Sequence, residues 1–95
     1  MKYLKVHWKQ TFPHDPLELF MELDAEDMEI RKVHVYPDGL RERADTTLPD
    51  KDTWLADEPT PPLDEINSDP QFEGRWITKE EFEEEWNKTP QQRGA

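Results

Sequence analysis

The chain has no cysteine, a single serine, only three glycines and no long apolar run, and each shortage removes a class of chemistry. Without cysteine there are no disulfides, thiolate nucleophiles or zinc-thiolate sites, although that absence fits either redox compartment. Glycine is too scarce for a phosphate cradle, and neither G-x-x-x-x-G-K-[ST] nor G-x-G-x-x-G occurs. Ser68 sits in N-S-D-P rather than G-x-S-x-G, so capping or turn formation is its expected work. Basic residues are also in short supply: 12 Lys and Arg stand against 23 Asp and Glu, for a formal net charge of -11. That sign argues against a nucleic acid or an anionic membrane as ligand, because phosphate binding needs clustered cations. No stretch approaches the roughly 20 apolar residues of a membrane-spanning helix. Met1-Lys2-Tyr3-Leu4-Lys5 runs into a charged alternating pattern with no apolar signal region, so a cytoplasmic location is expected.

What is present points to a folded domain with a heavily solvated surface. Hydrophobic residues make up 33% and charged residues 37%, a balance that leans toward disorder. The 11% aromatic content, including Trp8, Trp54, Trp76 and Trp86, leans back. A length of 95 residues is that of one domain, expected over residues 1–90 with a mobile tail at 91–95. A chain of this size buries only about 60 to 65% of its unfolded surface, so stability is marginal and every aromatic counts.

Alternation supplies the strands. Leu4, Val6 and Trp8 alternate with Tyr3, Lys5, His7 and Lys9, the period-2 pattern of a half-buried strand. After the turn-rich Thr11 to Pro16, Leu17, Leu19, Met21 and Leu23 share one face, with Phe20 the apolar exception on the other. A third strand from Met28 to Tyr36 sets Val33 and Val35 against Lys32, His34 and Tyr36. Ile30 is out of phase with those valines, which places a bulge near Arg31. Tyr36-Pro37-Asp38-Gly39 reads as a tight turn with a left-handed glycine, returning through an edge strand, Leu40 to Thr46. Arg41 and Arg43 read there as charges that discourage edge-to-edge aggregation.

The second half differs. Five prolines between Pro49 and Pro70 predict a loop lying on the sheet, pinned by Trp54 and Leu55, with one helical turn at Pro62-Leu63-Asp64-Glu65-Ile66. Thr78 and Glu81 form a T-x-x-E capping box, with Ile77 and Phe82 as a hydrophobic staple, so a helix is predicted from Lys79 to about Lys88. The expected fold is therefore α+β. A three- or four-stranded antiparallel meander carries the proline-rich loop and one C-terminal helix on its Leu4, Val6, Trp8, Leu17, Leu19, Val33 and Val35 face. Phe72, Trp76, Phe82 and Trp86 are expected to close the core.

The segments M-K-Y-L-K-V-H-W (1–8), F-P-H-D-P (12–16), E-L-D (22–24), E-I-R-K-V-H-V-Y-P-D-G (29–39), L-D-E-I-N-S-D-P-Q-F (63–72) and I-T-K-E-E-F-E-E-E-W (77–86) form a series. Together they resemble the small bacterial proteins grouped as domain of unknown function 6881. The resemblance spans nearly the whole chain and is weakest from Thr46 to Pro59. It implies a bacterial, self-standing soluble unit, and it brings no activity, cofactor or catalytic residue.

Candidate sites follow from charge and aromatics. His7, His14 and His34 match no metal-motif spacing, and they read as polar-face strand residues rather than ligands, so no metal or cofactor is expected. His7 and His34 with Glu18 or Glu22, beside Tyr3 or Tyr36, are the residues an acid-base or ligand-binding site would use. Residues 1–48 hold 7 basic and 10 acidic side chains, residues 49–95 hold 5 and 13, so the acidic field belongs to the second half. Glu80, Glu81, Glu83, Glu84 and Glu85 around Phe82 and Trp86, backed by Asp64, Glu65 and Asp69, form a surface for a basic partner. Tyr3, His7, Phe20, His34 and Tyr36 are expected to form a second open face. The leading expectation is a non-enzymatic binding module for a basic protein, as an immunity protein holds a toxin. The alternatives are a small enzyme or ligand-binding domain, and a solubilising or structural appendage.

Overall fold

The computed structural model describes residues 1–9, 15–46 and 55–88. Trp54, His14 and the tail at 91–95, all used in the expectations above, lie outside them. Seven elements follow in order: β1 (Lys2–Trp8), β2 (Glu18–Leu23), β3 (Glu29–Val35), β4 (Arg41–Asp45), α1 (Leu63–Ser68), β5 (Phe72–Ile77) and α2 (Lys79–Lys88). The strands form one antiparallel sheet in the order β4-β3-β2-β1-β5. The first four are the expected meander. The fifth corrects the strand count, because residues 72–77 return to pair with β1, Leu4 opposite Trp76 and Val6 opposite Gly74.

Local chemistry explains the joints. Asp24 Oδ1 accepts the N–H groups of Glu26 at 2.9 Å and Met28 at 3.0 Å, closing the β2–β3 turn with Asp27 at φ +64°. At the next turn Gly39 takes φ +90° and donates its N–H to the Tyr36 carbonyl at 2.9 Å, as the Y-P-D-G pattern predicts. Between β2 and β3 the register moves from Glu22–Arg31 to Leu23–Glu29, so Ile30 is the extra residue of a bulge beside Arg31. At α2, Glu81 N–H donates to Thr78 Oγ1 at 3.0 Å and Thr78 N–H to Glu81 Oε1 at 3.2 Å, which is the capping box.

The sheet carries a core on each face, which corrects the expectation of one. Directly paired residues of antiparallel strands share a face. Because Phe20 pairs with Val33 and Leu19 with His34, the β3 valines lie with Phe20 rather than with the leucines. On one face Tyr3, Phe20 and Val33 pack under Phe82 of α2, with Val35, Ile77 and Trp86 around them. On the other, Leu4, Val6, Met21 and Leu23 pack with Leu19, Phe72 and the α1 residues Leu63 and Ile66. Trp76 does not close either core: it is 48% exposed, with the Lys2 ammonium 5.7 Å from its ring.

Arg31 ties α2 to the sheet. Its guanidinium donates to both oxygens of Glu22, at 2.7 and 3.1 Å, and to both oxygens of Glu83, at 3.1 and 2.7 Å. The same group lies 4.8 Å from the Phe82 ring centre and 4.9 Å from that of Trp86. Tyr3 Oη donates a further bond to Glu22 at 3.0 Å. Arg41 and Arg43 reinforce the attachment, which corrects their reading as edge solubilisers. Arg41 binds the Glu85 carboxylate, and Arg43 donates to the Trp86 carbonyl at 3.0 Å with its guanidinium 4.5 Å from that ring. These cations neutralise the C-terminal dipole of α2 as well as its acids.

On the outer edge of β5 a side chain caps Gly74. Asn67 Oδ1 accepts the Gly74 N–H at 2.6 Å, and its Nδ2 donates to the Gly74 carbonyl at 3.1 Å, as a neighbouring strand would. A Cβ at position 74 would stand 2.9 Å from Leu63 Cδ1, so glycine lets α1 approach this closely.

Two predictions follow from these contacts. Arg31→Leu should lower the unfolding free energy in urea by roughly 3 to 5 kcal/mol, because Glu22 stays buried without its counter-charge. Adding Glu22→Gln should recover part of that loss, and a single-variant cost below about 1 kcal/mol would refute the clamp. Asn67→Ala should lose about 1 to 2 kcal/mol and associate with rising concentration in light scattering, while the native chain does not.

Candidate functional site

The topology scatters the residues that sequence reasoning grouped. Tyr3 and Phe20 are buried beneath α2, and burial, followed by the Glu22 hydrogen bond and charge, raises the Tyr3 pKa. They form no open face. His34 lies on the opposite face from His7, because β3 places it beside Leu19 while β1 pairs His7 with Glu18. The two histidines therefore share no site, and Tyr36 meets His34 edge-on at 6.2 Å between ring centres. Glu22, the carboxylate of the acid-base alternative, is held below the usual range by the Arg31 hydrogen bonds, against its burial. Among the described residues no three of His, Asp and Glu are placed to hold a metal ion, and no helix is long and apolar enough to cross a membrane.

The α2 glutamates are largely committed within the molecule. Glu83 is bound by Arg31, which lowers its pKa; Glu85 is also lowered, burial opposing and the Arg41 and Lys88 bonds prevailing. Glu81 caps the helix and stands 3.6 Å from Arg75. Glu84 is 3.7 Å from Lys88, and Glu80 is exposed. The solvated acidic flank expected here thus reduces mainly to Glu80 and Glu84.

The densest run of unneutralised charge lies on the other face. Residues 55–70 contain Asp57, Glu58, Asp64, Glu65 and Asp69 and no basic residue. The first four are exposed, and none of the five forms an ion pair among the described residues. This segment is fastened across the sheet by Thr60 N–H to the Asp27 carbonyl at 2.9 Å and by Ala56 N–H to Glu29 Oε1 at 2.9 Å. Ser68 supports α1 as expected, donating its hydroxyl to the Glu65 carbonyl at 2.6 Å. Between strap and sheet runs a groove of about 380 Å³ walled by Val6, Leu19, Met21, Ile66, Phe72 and the prolines 59 and 61, with Glu58 at its wall. The sequence carried the signal as a base-free, proline-bracketed acidic run, overshadowed by the denser glutamates of α2.

A second, polar recess of about 330 Å³ lies on the α2 face of the sheet, lined by Lys5, His7, Glu18, Glu73 and Arg75. The register puts His7 between Glu18 and Glu73. Lys5 pairs with Glu18 at 3.1 Å, whereas His7 Nδ1 is 3.9 Å from the same carboxylate, beyond a hydrogen bond. Its charges are balanced locally rather than converging on one vacant centre.

Beside the groove, β3 and β4 bury an unusual polar row. Lys32 pairs with Glu29 at 2.7 Å, Glu42 is 1% exposed, and His34 is 9% exposed with neither ring nitrogen hydrogen-bonded among the described residues. Burial, and secondarily the Lys32 charge, pushes the His34 pKa down to about 4. The unfolded chain takes up that proton near 6.5, so stability is full above that pH and falls as pH drops toward 4. Between pH 7 and pH 5 the native chain should lose about 2 kcal/mol of unfolding free energy in urea. His34→Leu should be nearly flat over the same interval, and an unchanged slope would assign the effect elsewhere.

No curated protein and no solved structure matches the chain. The family model of the domain of unknown function (DUF6881) matches residues 2–91, and the protein belongs to that family.

Proposed function

We propose that the protein is a non-enzymatic binding module for a basic protein, held on the α1 side of the sheet, an arrangement suited to an immunity-type inhibitor. The observation that carries this reading is the contrast between the two acidic flanks. Glu81, Glu83, Glu84 and Glu85 of α2 are engaged by Arg75, Arg31, Lys88 and Arg41, whereas Asp57, Glu58, Asp64 and Glu65 are exposed with no ion pair among the described residues. Exposed carboxylates of one sign beside apolar surface accelerate encounter and select a cationic partner, and they are weakened by salt. The competing reading of a small enzyme loses support because His7 and His34 face opposite ways and Glu22 is committed to Arg31.

Decalysine serves as a defined probe. In an NMR titration of the full chain, amide shifts should concentrate at residues 55–72 and vanish at about 0.5 M NaCl, where the screening length is only a few ångströms. Replacing Asp57, Glu58, Asp64 and Glu65 together by their amides should weaken binding at least about tenfold, whereas Glu80→Gln with Glu84→Gln should change it little. Equal loss in the two variants would overturn the choice of face, and salt-independent binding would overturn the reading itself.

A further inference from the structure

Resting on that reading, we infer that the groove under the proline strap is a socket for one large apolar side chain of the partner, flanked in the partner by Lys or Arg. The groove is lined mainly by hydrocarbon, with Glu29, Glu58 and Thr60 as the polar residues, yet Leu19, Ile66 and Phe72 are only half-buried. Leaving such surface to water works against a chain of this size, which has little apolar area to spare. The strap that forms the groove is also the segment with five acids and no base. Its wall residue Glu58 is exposed and follows the exposed Asp57 in the strap, so carboxylate charge stands beside an apolar floor.

Size and charge select the occupant. A volume of about 380 Å³ is near the low end of ligand pockets, which run from roughly 300 to 1,000 Å³. It accepts a single aromatic or leucine-sized side chain and is too small for a helix about 10 Å across. A second copy of this chain is a poor occupant, because each brings a net charge of -11 and the same acidic strap. A cationic segment with one apolar anchor satisfies floor and strap together. The anchor would supply residence time and the flanking cations the rate of encounter.

Three acetylated, amidated nonapeptides test this against the full chain: Lys and Gly residues around a central Trp, the same peptide with a central Ala, and an uncharged Ser and Gly peptide with the central Trp. The cationic Trp peptide should bind at least about tenfold more tightly than the cationic Ala peptide, the minimum for burying a large side chain. It alone should shift the Met21 ε-methyl and the Ile66 methyl resonances. Equal, salt-sensitive binding of both cationic peptides with those methyls unmoved would overturn the socket and leave the basic-partner reading standing. Binding by neither cationic peptide would overturn both. An uncharged Trp peptide that binds as tightly as the cationic one would overturn the charged occupant, and a dimer in sedimentation that buries the groove would replace it with a second copy.

Discussion

The Arg31 guanidinium is the contact on which the arrangement depends. It stands where the bulge at Ile30 presents β3 to α2, and it joins a buried sheet carboxylate, a helix carboxylate and two aromatic faces. Bidentate pairing and a planar cation over rings are things lysine cannot reproduce. Without this group, Glu22 would be an uncompensated charge under the helix, and Phe82 and Trp86 would lose the cation that orders them. The helix is short and highly charged, so its position comes from this attachment and from the Phe82 core more than from its own propensity.

That attachment also decides where the molecule's charge can act. Drawing Glu83 and Glu85 toward Arg31 and Arg41 turns part of the densest acidic run into structural cement. The strap, which has no cation within it, remains the place where the surplus is expressed. A count of charges along the chain would have ranked the two the other way. The three-dimensional pairing inverts the order.

Much of the fold was legible in the residues themselves. The T-x-x-E box, the Y-P-D-G turn, the meander and the irregularity at Ile30 all follow from local pattern, because hydrogen bonds within a few residues determine them. What was not legible depends on pairing. Phe20 reads as an exception on a polar face until Val33 is known to lie opposite, when it becomes the centre of a second core. The strand at residues 72–77 was hidden by Gly74 and by an even mixture of charge, and only the return to β1 reveals it. His7 and His34 looked like neighbours because each strand's phase is visible while the phase between strands is not. The groove is less legible still, since its walls come from β1, β2, β3, β5, α1 and the strap, and no short window contains them.

A carboxamide rather than a sixth strand terminates the sheet at β5, through the paired bonds of Asn67 to Gly74. Extension of the ribbon past Gly74 is thereby opposed by one side chain on a helix that buries none of its residues fully. A neighbouring chain that sought to extend the ribbon there would first have to displace that amide, which already fills both the donor and the acceptor of Gly74.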